Sequence, residues 1–127
     1  SDARRLLALS SGFVFERLDL PADSTWLLDA SHETWLLALS GGAAAGYLTL
    51  AQGDVIFATD GTVRLRAGPS GLSALIGYAQ SEPCGRLLRK TNGFDTKPDD
   101  DPNEAQVMTC YAGAIRAFMQ QRRELAA

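Results

Sequence analysis

Short apolar runs separated by Gly, Asp and Ser dominate the first two thirds of the chain. Between residues 12 and 79 they recur roughly every ten residues. The clearest run alternates strictly, because Val63, Leu65 and Ala67 are separated by Arg64 and Arg66. Alternation of this kind predicts a strand with one buried face. No helix-periodic stretch that could connect parallel strands lies between the runs. The pattern therefore predicts an antiparallel β-sandwich or barrel.

Turn signals separate the predicted strands. Asp60 and Gly61 form a strong hairpin signal, and residues 52–54 read as a second turn. The glycine-rich run of residues 41–46 follows a β-like segment, but no helix opens after it. A phosphate-binding loop would need that helix. We therefore expect residues 41–46 to form a flexible hairpin loop.

The pattern changes after residue 82. Residues 83–102 are polar and predict a linker loop, and residues 103–127 predict a C-terminal α-helix. Asp101, Pro102 and Glu104 suit the first turn of that helix. Apolar residues then fall at spacings of three and four, at Met108, Tyr111, Ala112, Ile115, Phe118 and Met119. We expect this stripe to pack on the sandwich or on a partner chain. A short helix is also expected over residues 2–9.

Composition and charge narrow the class of protein. The chain has 127 residues, which is about one domain, with a net charge of −3 and a pI near 5.0. This charge gives no case for nucleic acid or for an anionic membrane surface as a partner. No apolar run approaches the roughly 18 residues of a membrane span. Cys84 and Cys110 fit no zinc or redox spacing and read as unpaired thiols. We therefore expect a cytoplasmic protein.

Several segments taken together resemble a known family. They are residues 13–20, 35–41, 50–58, 63–68 and 75–79. In order and spacing they are similar to strands of the C-terminal cupin domain of type I mannose-6-phosphate isomerases (phosphomannose isomerases). The resemblance covers about residues 12–82. It implies an all-β, cupin-type antiparallel β-sandwich (jelly roll) over residues 1–82, to which the predicted C-terminal α-helix is added.

The resemblance also implies a function. Family isomerases interconvert mannose 6-phosphate and fructose 6-phosphate, using a zinc site in their N-terminal cupin and helical portion. Those parts are not in this chain. The resemblance therefore implies a non-catalytic cupin module of carbohydrate metabolism that serves as a structural, dimerising or sugar-phosphate-binding unit. The alternative is a sugar-phosphate isomerase of which this chain is all or a part.

The ligand positions of a metal-binding cupin test this expectation. Such cupins present a His-x-His pair, a Glu and a further His on neighbouring strands. In this chain the four positions fall on Leu28, Ala30, Thr34 and Arg64. A small shift of register brings in His32 or Glu33, but His32 is the one His of the chain. Neighbouring strand residues point to opposite faces, so His32 and Glu33 are poorly placed to act together. We expect no metal, no cofactor and no catalytic residue.

Arginines are the remaining candidates for binding. Arg64 and Arg66 stand two apart on a predicted strand and so share one face. Together they could hold a sugar phosphate by paired hydrogen bonds, or they could line a solvated face. Arg86, Arg89 and Lys90 read as a basic cluster on a solvated loop. The expected partners are a sugar phosphate and a second copy of the chain, which would pair through the helix or a sheet face.

Overall fold

Nine β-strands make up the fold. The computed structural model describes residues 3–91, 107–114, 117, 120 and 121. In chain order the strands are β1 (Arg4–Ser10), β2 (Phe13–Leu20), β3 (Thr25–Ala30), β4 (Thr34–Ala45), β5 (Leu48–Ala51), β6 (Val55–Thr59), β7 (Gly61–Tyr78), β8 (Leu88–Thr91) and β9 (Val107–Tyr111). All pairings between them are antiparallel. The predicted antiparallel β-sandwich is therefore confirmed.

Two long strands belong to both layers of the sandwich. The second half of β7 and the first half of β4 join β1, β2, β6 and β9 in the first sheet, in the order β1-β2-β7-β4-β6-β9. The first half of β7 and the end of β4 join β3, β5 and β8 in the second sheet. The halves of β4 and β7 are thus the structural links between the two sheets.

The passage from one sheet to the other occurs at glycines. The pairing of β4 with β7 shifts register twice, once between Ala38 and Ser40 and once between Gly41 and Ala43. Gly41 and Gly71 both have positive φ, at 73° and 76°. A Cβ atom at Gly41 would overlap the carbonyl oxygen of Gly71. Both strands can bend at this point because neither residue carries a side chain.

Alternate residues of the strands fill the space between the sheets. On β2, for example, Val14, Leu18 and Leu20 are buried, and on β7 so are Leu65 and Ile76. The core also contains Leu28, Leu36, Leu50, Ile56, Val63, Leu72 and Leu87. Burying each large aliphatic side chain contributes roughly 1.5–3 kcal/mol. The interior of the sandwich is therefore a packed apolar core in its described part.

The expected C-terminal helix of residues 103–127 is wrong for residues 107–111. Val107–Tyr111 is strand β9, which pairs with β6 along the edge of the first sheet. Met108 and Cys110 are half-buried, whereas Thr109 and Tyr111 are exposed, which is the period of a strand. Beyond β9, the described residues Ala114, Ala117, Gln120 and Gln121 have helical backbone, and the amide of Ala117 donates to the carbonyl of Gly113. The remaining stripe residues Ile115, Phe118 and Met119 lie outside the described residues.

Three further expectations are corrected. Arg4–Ser10 is strand β1 and not a helix, since it pairs with β2. Leu88–Thr91 lies within the expected linker, but it forms strand β8 on β3. The expected loop of residues 41–46 is strand up to Ala45, because residues 42–45 pair with β5. Strands β1 and β2, and strands β4 and β5, pair as neighbouring hairpins, whereas β8 pairs with β3 about 60 residues earlier in the chain.

Candidate functional site

One carboxylate lies in the apolar interior. Glu16 projects inward from β2 and is 2% exposed. Arg4 of β1 donates two hydrogen bonds to it, from Nε to Oε1 and from an Nη to Oε2, each 2.8 Å long. The Tyr78 hydroxyl donates to Oε2 and itself accepts a hydrogen bond from the backbone N–H of Cys84. These contacts satisfy the buried charge.

Ionisation in this cluster follows from the contacts. Burial opposes ionisation of Glu16, but the hydrogen bonds from Arg4 and Tyr78 and the charge of Arg4 outweigh it and lower the pKa of the carboxyl. Burial, reinforced by the hydrogen bond to Glu16, raises the pKa of Tyr78 to about 12. The hydrogen bond to Glu16 raises the pKa of Arg4. All three groups therefore stay in their paired states at neutral pH, and we assign the cluster a structural role.

The positions expected of metal ligands do not converge. Leu28, Ala30 and Thr34 are buried in the interior. Arg64 is on the opposite, outer surface of the second sheet, because its neighbours Val63 and Leu65 are the ones that point inward. The structure therefore does not bring the position of Arg64 together with the other three. In the described residues, no three His, Cys, Asp or Glu side chains lie close enough to hold a metal ion.

His32 and Glu33 lie in the turn between β3 and β4 and are exposed. The carbonyl of His32 accepts a hydrogen bond from the Thr34 hydroxyl, and that of Glu33 accepts one from the backbone N–H of Ala79. These backbone contacts close the turn. They give neither side chain a chemical role.

Arginines gather on the outer face of the second sheet. Arg64 of β7 pairs with Leu27 of β3, and Leu27 pairs on its other side with Arg89 of β8. Arg64 and Arg89 therefore flank Leu27 in one row across three strands. Arg66 lies two residues further along the same face, next to Thr25. We call Arg64, Arg66 and Arg89 the arginine face.

A cleft of about 340 Å³ opens on this face. Its lining residues are Leu27, Asp29, Thr62, Arg86 and Arg89, and we call it the arginine cleft. Neither Arg86 nor Arg89 has an ion-pair partner among the described residues. Arg86 and Arg89 carry two positive charges and Asp29 carries one negative charge, so the net charge of the cleft lining is positive. This charge favours an anionic ligand.

Arg66 borders a second, more open depression, of about 710 Å³, at the bend of β4 and β7. Its lining includes Asp23, Gln52 and Ser70, together with the Gly and Ala residues of both bends. Arg64 and Arg66 stand two apart on β7 and so share a face, but Arg66 borders this depression whereas Arg64 is not among the lining residues of either one. Their role in binding stays a prediction.

Sequence reasoning missed two parts of these sites. Glu16 breaks the apolar alternation of Val14, Leu18 and Leu20, and this signal predicts a buried polar group that needs partners. Arg89 was assigned to a solvated loop cluster, yet it is in register with Arg64 through β3. No local pattern reveals this second relationship.

Aromatic side chains cover part of the outer face of the first sheet. Trp35 packs against Phe57 and Tyr111, with ring centroids 4.6 and 6.1 Å apart, and it remains 41% exposed. Phe13 and Phe15 pack against each other at 4.9 Å over Gly77. Association of two copies through a sheet face stays a prediction.

Within the described residues, no helix is long and apolar enough to cross a membrane.

No protein-family model matches the chain. No curated protein matches it at a significant level either. Solved structures do match. Oxalate decarboxylase from Bacillus subtilis at pH 4.6 is 12% identical with a TM-score of 0.52, over 64% of this chain and 24% of that one. A Trp-to-Phe variant of that enzyme gives 12% identity and a TM-score of 0.57, over 69% and 28%.

A further structure of the Bacillus subtilis enzyme, from work that assigned the EPR fine-structure parameters of its Mn(II) centres, gives 10% identity and a TM-score of 0.54, over 70% of this chain and 30% of that one. The chain thus spans between 24% and 30% of these three chains. Identities at this level carry information on the fold alone. The described part of the chain is a cupin-type jelly roll.

Proposed function

We propose that this chain is a non-catalytic cupin module that binds an anionic sugar or another phosphate-bearing ligand on its arginine face. One observation carries the proposal: Arg64 and Arg89 flank Leu27 in a single row, beside a cleft that is also lined by Arg86. Guanidinium groups suit this task because their planar donors match a phosphate or carboxylate with two hydrogen bonds at once.

Overall charge makes the arginine face distinctive. The chain carries a net charge of −3, so clustered arginines are not a general property of its surface. Adjacent strands are about 4.8 Å apart, which places the Cα atoms of Arg64 and Arg89 roughly 10 Å from each other. Two extended arginine side chains can converge across this distance on one ligand above Leu27. Binding by Arg64 and Arg66 alone would leave the cleft unused.

The resemblance to phosphomannose isomerases selects the first ligands to try. Hexose 6-phosphates such as mannose 6-phosphate contain the required anionic group. A module of this kind would serve a carbohydrate enzyme by binding or positioning such a ligand, or by a structural contribution. The alternative is that the chain is all or part of a sugar-phosphate isomerase, and turnover in a coupled assay with zinc present would favour it.

The experiment compares the parent with a variant in which Arg64, Arg66 and Arg89 are changed to Ala. We expect mannose 6-phosphate to raise the melting temperature of the parent, because a ligand that binds the native state stabilises it. The rise should be lost in the triple variant. Arg17→Ala is the matched control, since Arg17 pairs with Asp19 on the other sheet. An equal rise in all three proteins would contradict the proposal.

A further inference from the structure

We infer that the arginine cleft is a site for a phosphorylated polyol, in which Arg86 and Arg89 hold the phosphate and Asp29 and Thr62 take hydroxyl groups. The inference rests on the proposed function, because it presumes that the arginine face binds an anion. It adds the class of ligand and assigns a specificity-determining role to Asp29. Simple anions such as inorganic phosphate would then be poor ligands.

Register supports a site with two ends. Asp29 of β3 pairs with Thr62 of β7, so their side chains are neighbours on the outer face. Leu27 lies two residues before Asp29 and pairs with Arg89. Residues two apart on a strand are separated by about 6.6 Å. The arginine end and the Asp29–Thr62 end therefore lie about one sugar ring apart.

The carboxylate of Asp29 has capacity left for a ligand. It accepts a hydrogen bond from the backbone N–H of Ser31 at 2.9 Å, and the Cys84 thiol lies 3.9 Å from its other oxygen. A carboxylate can accept about four hydrogen bonds. Sugar hydroxyls are donors that would use the remaining positions, and the hydroxyl of Thr62 can both donate and accept.

Charge makes Asp29 a selective element. A carboxylate in an anion site repels phosphate, so it weakens the binding of any ligand that offers an anionic group alone. The same group favours a ligand that also brings hydroxyl donors, since hydrogen bonds to a charged acceptor are the stronger kind. A cleft of about 340 Å³ lies within the usual size range of small-molecule sites.

Titration calorimetry on the whole chain tests this assignment with three probes: mannose 6-phosphate, inorganic phosphate and mannose. We expect mannose 6-phosphate to bind more tightly than phosphate by roughly tenfold or more. Asp29→Asn should reduce its affinity by roughly tenfold and leave the affinity for phosphate equal or higher. Asn keeps an oxygen that can accept from Ser31, so the local fold is preserved. Asp60→Asn, at an exposed turn, is the control for the lost charge.

The outcomes separate the two proposals. If mannose 6-phosphate and phosphate bind equally, and Asp29→Asn affects both alike, the hydroxyl-recognising end is wrong while anion binding stands. If neither binds to the parent, the proposed function itself fails and this inference fails with it. If mannose binds as tightly as mannose 6-phosphate, the phosphate end is overturned. An Arg86→Ala, Arg89→Ala double variant that keeps full affinity for mannose 6-phosphate would do the same.

Discussion

Tyr78 donates its hydroxyl to the carboxylate of Glu16, and both side chains are buried, at 1% and 2% exposure. The bond joins β7 to the neighbouring strand β2, while Arg4 binds the same carboxylate from β1. Three strands of the first sheet are thus cross-linked inside the core. The backbone N–H of Cys84 joins the same network through the Tyr78 oxygen.

Tyr78→Phe should therefore destabilise the fold although it keeps the ring. The change removes one hydrogen bond from Glu16 and leaves the Cys84 amide without its acceptor, and such losses cost about 1–3 kcal/mol. Urea unfolding followed by circular dichroism measures the difference. Tyr111→Phe is the control, because Tyr111 is exposed, and it should change the free energy of unfolding little. Equal effects of the two changes would argue against the network.

Two buried groups should shape the pH dependence of stability. The folded pKa of Glu16 is lowered from an ordinary value of 4.5, so its contribution is present above pH 4.5 and is lost as the pH falls toward the folded pKa. The pKa of Tyr78 is raised from 10.0 to about 12, so its contribution is present below pH 10 and is lost as the pH rises toward 12.

Variants isolate these contributions. The measurement is the free energy of unfolding as a function of pH. Relative to the parent, Glu16→Gln should reduce the loss of stability at acid pH. Tyr78→Phe should reduce the loss of stability at alkaline pH. Glu16→Gln should also lower stability at neutral pH, since it leaves Arg4 without its carboxylate. Stability profiles parallel to that of the parent would show that other groups set the pH dependence.

The bend between the sheets predicts a strong positional effect. Gly41→Ala places a methyl group on the carbonyl oxygen of Gly71 and also strains a backbone with a φ of 73°. Backbone cannot move aside as a side chain can, so we expect a loss of about 2–4 kcal/mol. Gly12→Ala is the control, because its φ is also positive, at 84°, but no atom lies within 4 Å of the added carbon. It should cost about 1 kcal/mol.

Local pattern predicts faces better than it predicts neighbours. Alternation of Val63, Arg64 and Leu65 correctly indicates which side chains point inward. The spacing of Met108 and Tyr111 fits a helix, but the same residues also suit a strand. What decides between the two is an open edge on β6, about 50 residues earlier in the chain.

Candidate sites depend even more on distant pairing. Arg64 and Arg66 could be placed on one face from their spacing alone. The approach of Arg89 to Arg64 requires β3 to pair with both β7 and β8, which no local signal encodes. Glu16 gave a readable signal as a charge at a core position. Its partners Arg4 and Tyr78 become evident only when the first sheet is assembled.

Metal content offers an independent check on the proposed function. The interior positions expected of cupin ligands are Leu28, Ala30 and Thr34. Leu28 and Ala30 have no donor atom for a metal, and the Thr34 hydroxyl is not one of the usual Cys, His or carboxylate ligands and donates to the His32 carbonyl. We expect elemental analysis of the purified chain to find no stoichiometric zinc, iron or manganese. About one metal ion per chain, removable by a chelator, would contradict this expectation.

Strand β9 gives the last prediction, which replaces an expectation based on a helix. Deleting all residues after Asp99 removes β9 and opens the edge of β6, whose N–H and C=O groups pair with residues 107–111. It also uncovers Trp35, because the ring of Tyr111 stacks on it. An open apolar edge promotes association between chains. We therefore expect a lower melting temperature and faster aggregation on heating.

A second truncation after Ala114 keeps β9 and the hydrogen bond from the Gly113 amide to Asp54. It should retain most of the stability of the parent, as measured by calorimetry and light scattering. If the two truncated proteins behave alike, β9 is not what stabilises this edge of the sheet.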